Sequence, residues 1–449
     1  MNTTYLFIMT NIIDGRPSKK FFIDMITRDI SIEDAIVDLL DNCVDGASRA
    51  SKLKNLPDFT SFTIDIVARG DRFEILDNCG GFSLEAATTY AFRMGKPEDI
   101  SSEINNSVGR FGIGMKRSLF KLGKKFEVES QHGNDHFRVR VDVGAWDRKE
   151  GWEFEYEIVP PSQKLKEDGT KVSITELRED VKTQIADPHY HTDLEAIIGR
   201  LLNFSLSKGL QINLNAKKVA SAKVELLMSD EVIPYVIKGE HDGVSYKLIA
   251  GLGEVGDPSL SGWYIYCNDR LVLEADRSSI TGWDVQGVKK WHPSLVMFRG
   301  IVFFDSAETS KLPITTTKKG IDATSSIYQF VFPMMLDAMN NIIPFLNKVA
   351  TELPDANEYR QRLGETLSKY SSVSLKSYDF SHCKQAYFHK PILNVEALNR
   401  KQERRISYSV SAELAEEVKR HAKVRSYKDL GLKTFDYYIR MEGIDDEER

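Results

Sequence analysis

The sequence predicts an α+β fold: helices layered on a mixed sheet, then a second α/β domain, then a small C-terminal appendage. Three features predict it. A helical pattern over 31–49 is followed by alternating strand patterns reaching residue 176. A glycine-rich run at 109–114 enters an apolar, basic stretch, 115–122, that fits a helix. A second series of strand patterns from 210 to 304 closes on a helical stretch at 326–346. With 449 residues and 41% hydrophobic side chains, the chain is long enough for two or three cores.

Ser31 is a good N-cap, Glu33 and Asp34 suit the positive helix end, and Ile36, Leu39, Leu40, Cys43 and Ala47 recur at helical spacing. Strands are expected at 61–67 and 73–76, the second ended by the turn formers Asp77-Asn78-Cys79-Gly80-Gly81. Residues 84–93 look helical, and the polar, Pro-containing stretch 95–107 reads as a long loop. Four more strands are expected at 125–130, 137–143, 152–159 and 170–176. The second segment, about 190–350, opens on an amphipathic stretch at 194–206. Its strand patterns fall at 210–214, 223–228, 244–250, 262–267 and 298–304. From 354 to 377 the chain turns polar and charged, which marks a boundary. The expected domains are therefore 1–185, 186–350 and 351–449.

Charge and composition exclude several classes. A net charge of −6 argues against coating nucleic acid by bulk charge. No apolar run approaches the roughly 18 residues that span a bilayer. The apolar stretch at 5–9 has no basic residues before it and no small-residue cleavage site after it, so a cytoplasmic location is expected. Cys43, Cys79, Cys267 and Cys383 are scattered and form no CxxC pair, which disfavours a zinc site or a disulfide scaffold. His189 and His191 form an HxH near Asp187, but no further ligand pair matches, and a polar loop is the simpler reading.

Chemistry concentrates in four places. Asp34, Asp38, Asp41, Asn42 and Asp45 share one side of the helix at 31–49. Most amphipathic helices have a solvated polar face, yet clustered carboxylates repel, and a divalent cation or a reacting water opposite them explains the row better. Next, an apolar strand delivers Asp77 into a glycine turn. A carboxylate there can accept from an exocyclic amine, and glycines let a flat ring approach the backbone. Third, Gly109-Arg110-Phe111-Gly112-Ile113-Gly114-Met115-Lys116-Arg117-Ser118 places small residues before a helix N-terminus, which suits phosphate. It is not a P-loop, because Met115 stands where Lys must follow the last glycine. Last, Asp168-Gly169-Thr170 is a tight turn entering a strand.

Together and in this order, these motifs resemble the ATP-binding module of the GHKL superfamily (gyrase B, heat-shock chaperone, MutL and histidine kinase types), closest to its MORC-like branch. The likeness spans residues 20–185. It implies a two-layer Bergerat fold that binds ATP and Mg2+. The helix Asp38-Leu39-Leu40-Asp41-Asn42-Cys43-Val44-Asp45-Gly46-Ala47 is similar to the E-L-x-x-N-x-x-D-A box, so Asp38 would be the general base and Asn42 the magnesium ligand. By the same resemblance Asp77 would read adenine, with Gly81 in its turn. Gly109, Gly112, Gly114 and Lys116 would form the lid and phosphate loop, Met94 and Met115 would border it, and Thr170 would lie beside the adenine pocket.

Two positions depart from the family pattern. Its Glu base is Asp38 here, one methylene shorter, which puts hydrolysis in question; Glu33 lies about 140° round the helix and is the poorer substitute. The first Gly of D-x-G-x-G is Cys79, which narrows the adenine pocket. A histidine kinase would need a phosphoacceptor His upstream, and no His precedes His132.

Further on, 262–272 resembles the Y-x-N-x-R strand of MORC-like and MutL-like proteins, and 312–320 is similar to the transducer loop that sends a Lys to the γ-phosphate. An S5-like transducer domain is implied, with Lys318 favoured over Lys319 as sensor. Near the C-terminus, an alternating strand pattern at 404–410 precedes helical patterns from Ser411 to Ala422 and over 428–441. This resembles a ribbon-helix-helix module or a helical oligomerisation tail, and residues 398–425 carry eight Lys/Arg against four Glu.

The resemblance thus implies an ATP-dependent switch that hydrolyses slowly and forms a homodimer through its N-terminal segments, with a lid at about 94–115. DNA, through the basic C-terminal segment, or a protein client or partner nuclease would be its cargo; no membrane partner is expected. The alternative is a nucleotide-gated binding module with little or no hydrolysis.

Overall fold

A computed structural model describes residues 17–93, 113–229, 232–253, 257–315, 318–351, 371–374, 386–390, 406 and 408–442. Met94, Gly109 and Gly112, with most of the expected lid, lie outside the described residues. Two compact units divide the chain, Met1–Ile392 and Leu393–Arg449.

The first unit begins with α1 (Lys19–Arg28) and α2 (Ile32–Leu53). Ser31 caps α2 by accepting from the Asp34 N–H at 3.1 Å and donating to the Asp34 carboxylate at 2.7 Å. Ala35, Ile36, Leu39, Leu40 and Ala47 then bury the apolar face of α2 in the core. The sheet beneath it has eight strands: β1 (Thr63–Arg69), β2 (Arg72–Asp77), β3 (Gly123–His132), β4 (Asp135–Asp142), β5 (Tyr156–Ile158), β6 (Gly169–Leu177), β7 (Gln211–Leu214) and β8 (Lys217–Lys218). Their order is β5-β4-β3-β6-β2-β1-β7-β8, antiparallel except for the parallel pair β1–β7. The fold is thus mixed α+β, with helices on a mixed sheet.

Between β2 and β3 lie α3 (Leu84–Ala86), continued by a π turn at Ala87–Ala91, and α4 (Gly114–Leu122), which packs on α2. The short α5 (Val143–Asp147) follows β4. Then α6 (Glu179–Ala186), α7 (Pro188–Leu201) and α8 (Asn203–Ser207) lead to β7. This corrects one expectation. Residues 188–219, which the sequence pattern assigns to the second segment, pack Leu194, Ile198, Ile212 and Leu214 into the first core. A strand's pattern shows that it has a buried face; it does not show which sheet buries it.

The turn after β2 is sterically demanding. Gly81 has φ +58, and a Cβ there would fall on the carbonyl oxygen of Gln131. Gly81→Ala is therefore expected to lower stability by about 2 kcal/mol or more, read as a shift of the thermal midpoint.

The second α/β part contains β9 (Glu225–Met228), β10 (Tyr235–His241), β11 (Val244–Leu252), β12 (Gly262–Cys267), β13 (Arg270–Asp276), β14 (Phe298–Asp305), α9 (Ser326–Thr351) and β15 (Ser371–Ser374). Five strands pair in the order β10-β11-β14-β12-β13, with α9 against β11. All six β12 residues are buried, as expected for a strand covered on both faces. β15 pairs with β9, and His389 bridges to Ile233, so contacts divide the chain later than the composition change at 354 suggests.

In the second unit, α10 (Ala412–Ala422) is capped by Ser411 and α11 (Tyr427–Met441) by Ser426. Neither helix contains a buried residue. The strand expected at 404–410 is not formed at 408–410; a lone strand has no ladder to join. Among the described residues no helix is long and apolar enough to cross a membrane.

Candidate functional site

The acidic side of α2 faces protein rather than solvent. Asp38, Asp41 and Asp45 are all buried, while Asn42 is exposed and donates from its amide to the Asp38 carbonyl at 2.8 Å. Burying like charges together is costly unless cations neutralise them. Here three do so. Arg117, on α4, meets Asp38 Oδ2 at 2.7 Å. Lys318 places Nζ 3.1 Å from Asp38 Oδ1 and 2.7 Å from Asp41 Oδ2, and Arg270 pairs with Asp41. Lys319, beside it, is exposed and reaches Asp34 at 2.5 Å.

Local geometry delivers these cations. Asn268 and Asp269 both have positive φ, the requirement of a two-residue type I′ hairpin, and the turn sets Arg270 at the start of β13. Lys318 is itself left-handed, with φ +56, inside a loop closed by the Ile314–Ile321 bridge and by the Lys318 N–H donating to the Thr315 carbonyl at 3.0 Å. A left-handed conformation in a residue other than glycine costs about 1 kcal/mol or more, which the loop's closing hydrogen bonds must offset.

Burial pushes the Asp38 carboxyl up, but Lys318, Arg117 and Arg270 outweigh it and hold it below the ordinary carboxylate value. Asp38 is therefore ionised, as a proton acceptor must be. Glu33 accepts from Gln184 at 2.5 Å, so it is engaged with α6 rather than with this cluster. The N-terminus of α4 also faces Asp38: a Cβ added to Gly114 would lie 3.5 Å from Asp38 Oδ2, and no side chain caps the helix start. Met115 is half-buried against the core. Lys116 is buried, donates to the Ala91 carbonyl at 2.9 Å, and is lowered to about 8 by burial. The structure brings it to the end of the π turn rather than to the acidic row.

Asp77 lies at the end of β2, nearly buried. Its Oδ1 accepts from the Cys79 N–H at 2.8 Å and the Thr170 N–H at 3.3 Å. Burial raises its pKa, opposed by those N–H donors and by the Cys43 and Cys79 thiols. Gly169 permits this approach, since a Cβ there would strike the Asp77 carbonyl. Gly46 is equally constrained, 2.7 Å from the Cys79 carbonyl oxygen if given a Cβ, which brings α2 close to the turn. The HxH pair lies at the start of α7: the backbone N–H of His189 donates to Asp187, the cap of the helix, and the His191 ring meets Asn215.

The predicted site residues thus converge in part. Asp38, Asn42 and Gly114 surround one end and Lys318 reaches it, while Asp77, Gly81 and Thr170 form the other. Arg117 was legible only as an added cation and Arg270 only through the Y-x-N-x-R likeness, which gave no sign of its pairing with Asp41.

An adenine nucleotide with magnesium fits this donor set. Asp77 offers a buried acceptor, the uncapped α4 start offers N–H groups, and the buried Arg117 Nε has no hydrogen-bond partner. Among the described residues no three His, Cys, Asp or Glu side chains form a metal-holding group. Mg2+ needs none, because it is commonly held by one or two protein ligands plus phosphates.

The mixed α+β architecture, helices on a mixed sheet, is that of a GHKL-type ATP-binding fold. Residues 30–180 match the family model described as histidine kinase-, DNA gyrase B-, and HSP90-like ATPase, which supports the GHKL superfamily and ATP binding for this part of the chain. No curated protein matches the chain.

Proposed function

We propose that this protein is an ATP-driven conformational switch whose second α/β part senses the terminal phosphate through Lys318. The observation that carries the proposal is the reach of Lys318, 277 residues along the chain from Asp41, into the acidic row of the nucleotide domain. In this reading Asn42 would hold Mg2+, which when bound neutralises triphosphate charge. Asp77 accepts from the adenine amine, with Gly81 and Thr170 beside it. The start of α4 at Gly114 and Met115 donates to phosphate, Lys116 on α4 holds the Ala91 carbonyl, and Met94, Gly109 and Gly112 would belong to the covering loop. Lys318 exchanges Asp38 and Asp41 for the γ-phosphate, and this frees Asp38 to take a proton from the attacking water. The second part then serves as a transducer in a MORC-like arrangement. Two chains pair on ATP binding, and DNA or a protein client is gated.

Lys318→Met is expected to cut the preference for ATP over ADP by roughly 10- to 100-fold while leaving ADP affinity unchanged, as befits one lost charge-assisted bond. Calorimetry with both nucleotides checks it. The whole reading is tested by titrating ATP with Mg2+: no heat sinks it. A mobility shift that needs a non-hydrolysable ATP analogue and weakens with salt would identify DNA as cargo.

A second reading, a nucleotide-gated module with little turnover, is favoured by one observation. Both oxygens of Asp38 are held by cations, and the side chain is short for a base. Steady-state phosphate release separates the two readings.

A further inference from the structure

We infer that Arg117 contacts the terminal phosphate of bound ATP, as a second cation there beside Lys318, while keeping its hold on Asp38. The inference rests on the nucleotide reading proposed above and adds a catalytic residue to it.

The glycine-rich motif ends on two neighbouring cations, Lys116 and Arg117. Successive side chains leave a helix about 100° apart, so α4 presents only one of them to the acidic row. Lys116 is the one turned away: it is buried and donates to the Ala91 carbonyl at 2.9 Å. Arg117 takes the other direction, with Nη2 2.7 Å from Asp38 Oδ2. A Cβ added to Gly114, one turn earlier, would lie 3.5 Å from that same oxygen. The guanidinium therefore stands beside the start of α4, where the nucleotide reading puts phosphate.

Its unused donors are the second observation. A guanidinium carries several N–H groups in a planar fork. Among the described residues the Arg117 side chain makes one hydrogen bond, from Nη2 to Asp38, and its Nε is buried without a partner. A buried charged donor left unpaired is costly, and an anion brought to this spot removes that cost. Lys318 provides the contrast. Its Nζ is shared between Asp38 Oδ1 at 3.1 Å and Asp41 Oδ2 at 2.7 Å, so it must let go of them to reach phosphate. Arg117 can take a phosphate oxygen without releasing Asp38, because its fork bonds more than one acceptor at once.

Electrostatics gives such a bridge its purpose. The Asp38 carboxylate and the terminal phosphate are both anions, and a water attacking between them needs both close. They repel at that separation. A guanidinium bonded to both offsets the repulsion and fixes one relative to the other, which Lys318 cannot do once it has left Asp38.

Calorimetry on the full-length chain with Mg2+, using ADP and a non-hydrolysable ATP analogue, tests this in the Asp38→Ala background, where the ion pair is already gone. Adding Arg117→Met there should weaken the analogue by roughly 10- to 100-fold and leave ADP affinity unchanged. Arg117→Lys in the same background should recover part of the loss, since it restores the charge but not the fork. If Arg117 served only to pair with Asp38, Arg117→Met would be silent toward both nucleotides in this background, and that result would overturn the inference. An equal loss for ADP and the analogue would overturn it too, by placing Arg117 away from the terminal phosphate. The double variant leaves neither partner of the pair stranded, so the comparison holds even where Arg117→Met alone unfolds the chain. Absence of heat with either nucleotide in the natural protein would instead remove the nucleotide reading itself, and this inference with it.

Discussion

Asp38→Ala is expected to keep nucleotide affinity at or above that of the natural protein while phosphate release falls by roughly 10²- to 10⁴-fold, the contribution of a general base. Affinity should not drop because removing the Asp38 charge releases Arg117 and leaves Lys318 with one carboxylate, Asp41, instead of two. Asp38→Glu provides the counterpart. The added methylene extends the carboxylate by about 1.5 Å, so turnover should rise above the natural rate. If Asp38→Ala released phosphate normally, the base would lie elsewhere. The pH dependence has a definite sign. Since the folded pKa of Asp38 is depressed, its ion pairs contribute stability that is present above the unfolded carboxylate value and lost as pH falls through the folded one.

Asp77→Ala is expected to weaken ATP binding on the order of 10²-fold, because it removes a charged acceptor from a buried site and leaves the Cys79 and Thr170 N–H groups without it. Asp77 behaves oppositely to Asp38 with pH. Burial raises its pKa, so the folded state binds that proton more tightly than the unfolded chain does, and Asp77 disfavours the folded state once it ionises. Nucleotide affinity, which needs the ionised acceptor, should therefore fade on acidification at a higher pH than an ordinary Asp would dictate. Calorimetric titrations across pH, compared with Asp77→Asn, give the measurement. An affinity flat with pH in the natural protein would remove Asp77 from adenine recognition.

Much of the nucleotide domain was legible because its signals are local. The Ser31 cap, the spacing of Ile36, Leu39 and Leu40, and the glycine turn after Asp77 each encode their conformation within a few residues. The acidic row was equally visible, although its surroundings were not. A polar side on a helix reads as solvated, and only the packed structure shows Asp38 and Asp41 buried against Arg117, Arg270 and Lys318. Lys116 illustrates the converse. The motif suggests a phosphate contact, while the side chain reaches the Ala91 carbonyl, because a helix position sets a direction and not a partner.

Sequence by itself determined the class of fold, the Asp77 glycine turn and the acidic row and their order, since periodicity, capping and turn chemistry act over a single helix turn or hairpin. Tertiary structure alone decided that β7 joins the first sheet rather than the second. It also decided that a lysine 277 residues distant neutralises the acidic helix, and that α10 and α11 retain an outward apolar side. Those outcomes depend on which surfaces are buried together, a property of the whole packed chain that no local window of residues contains.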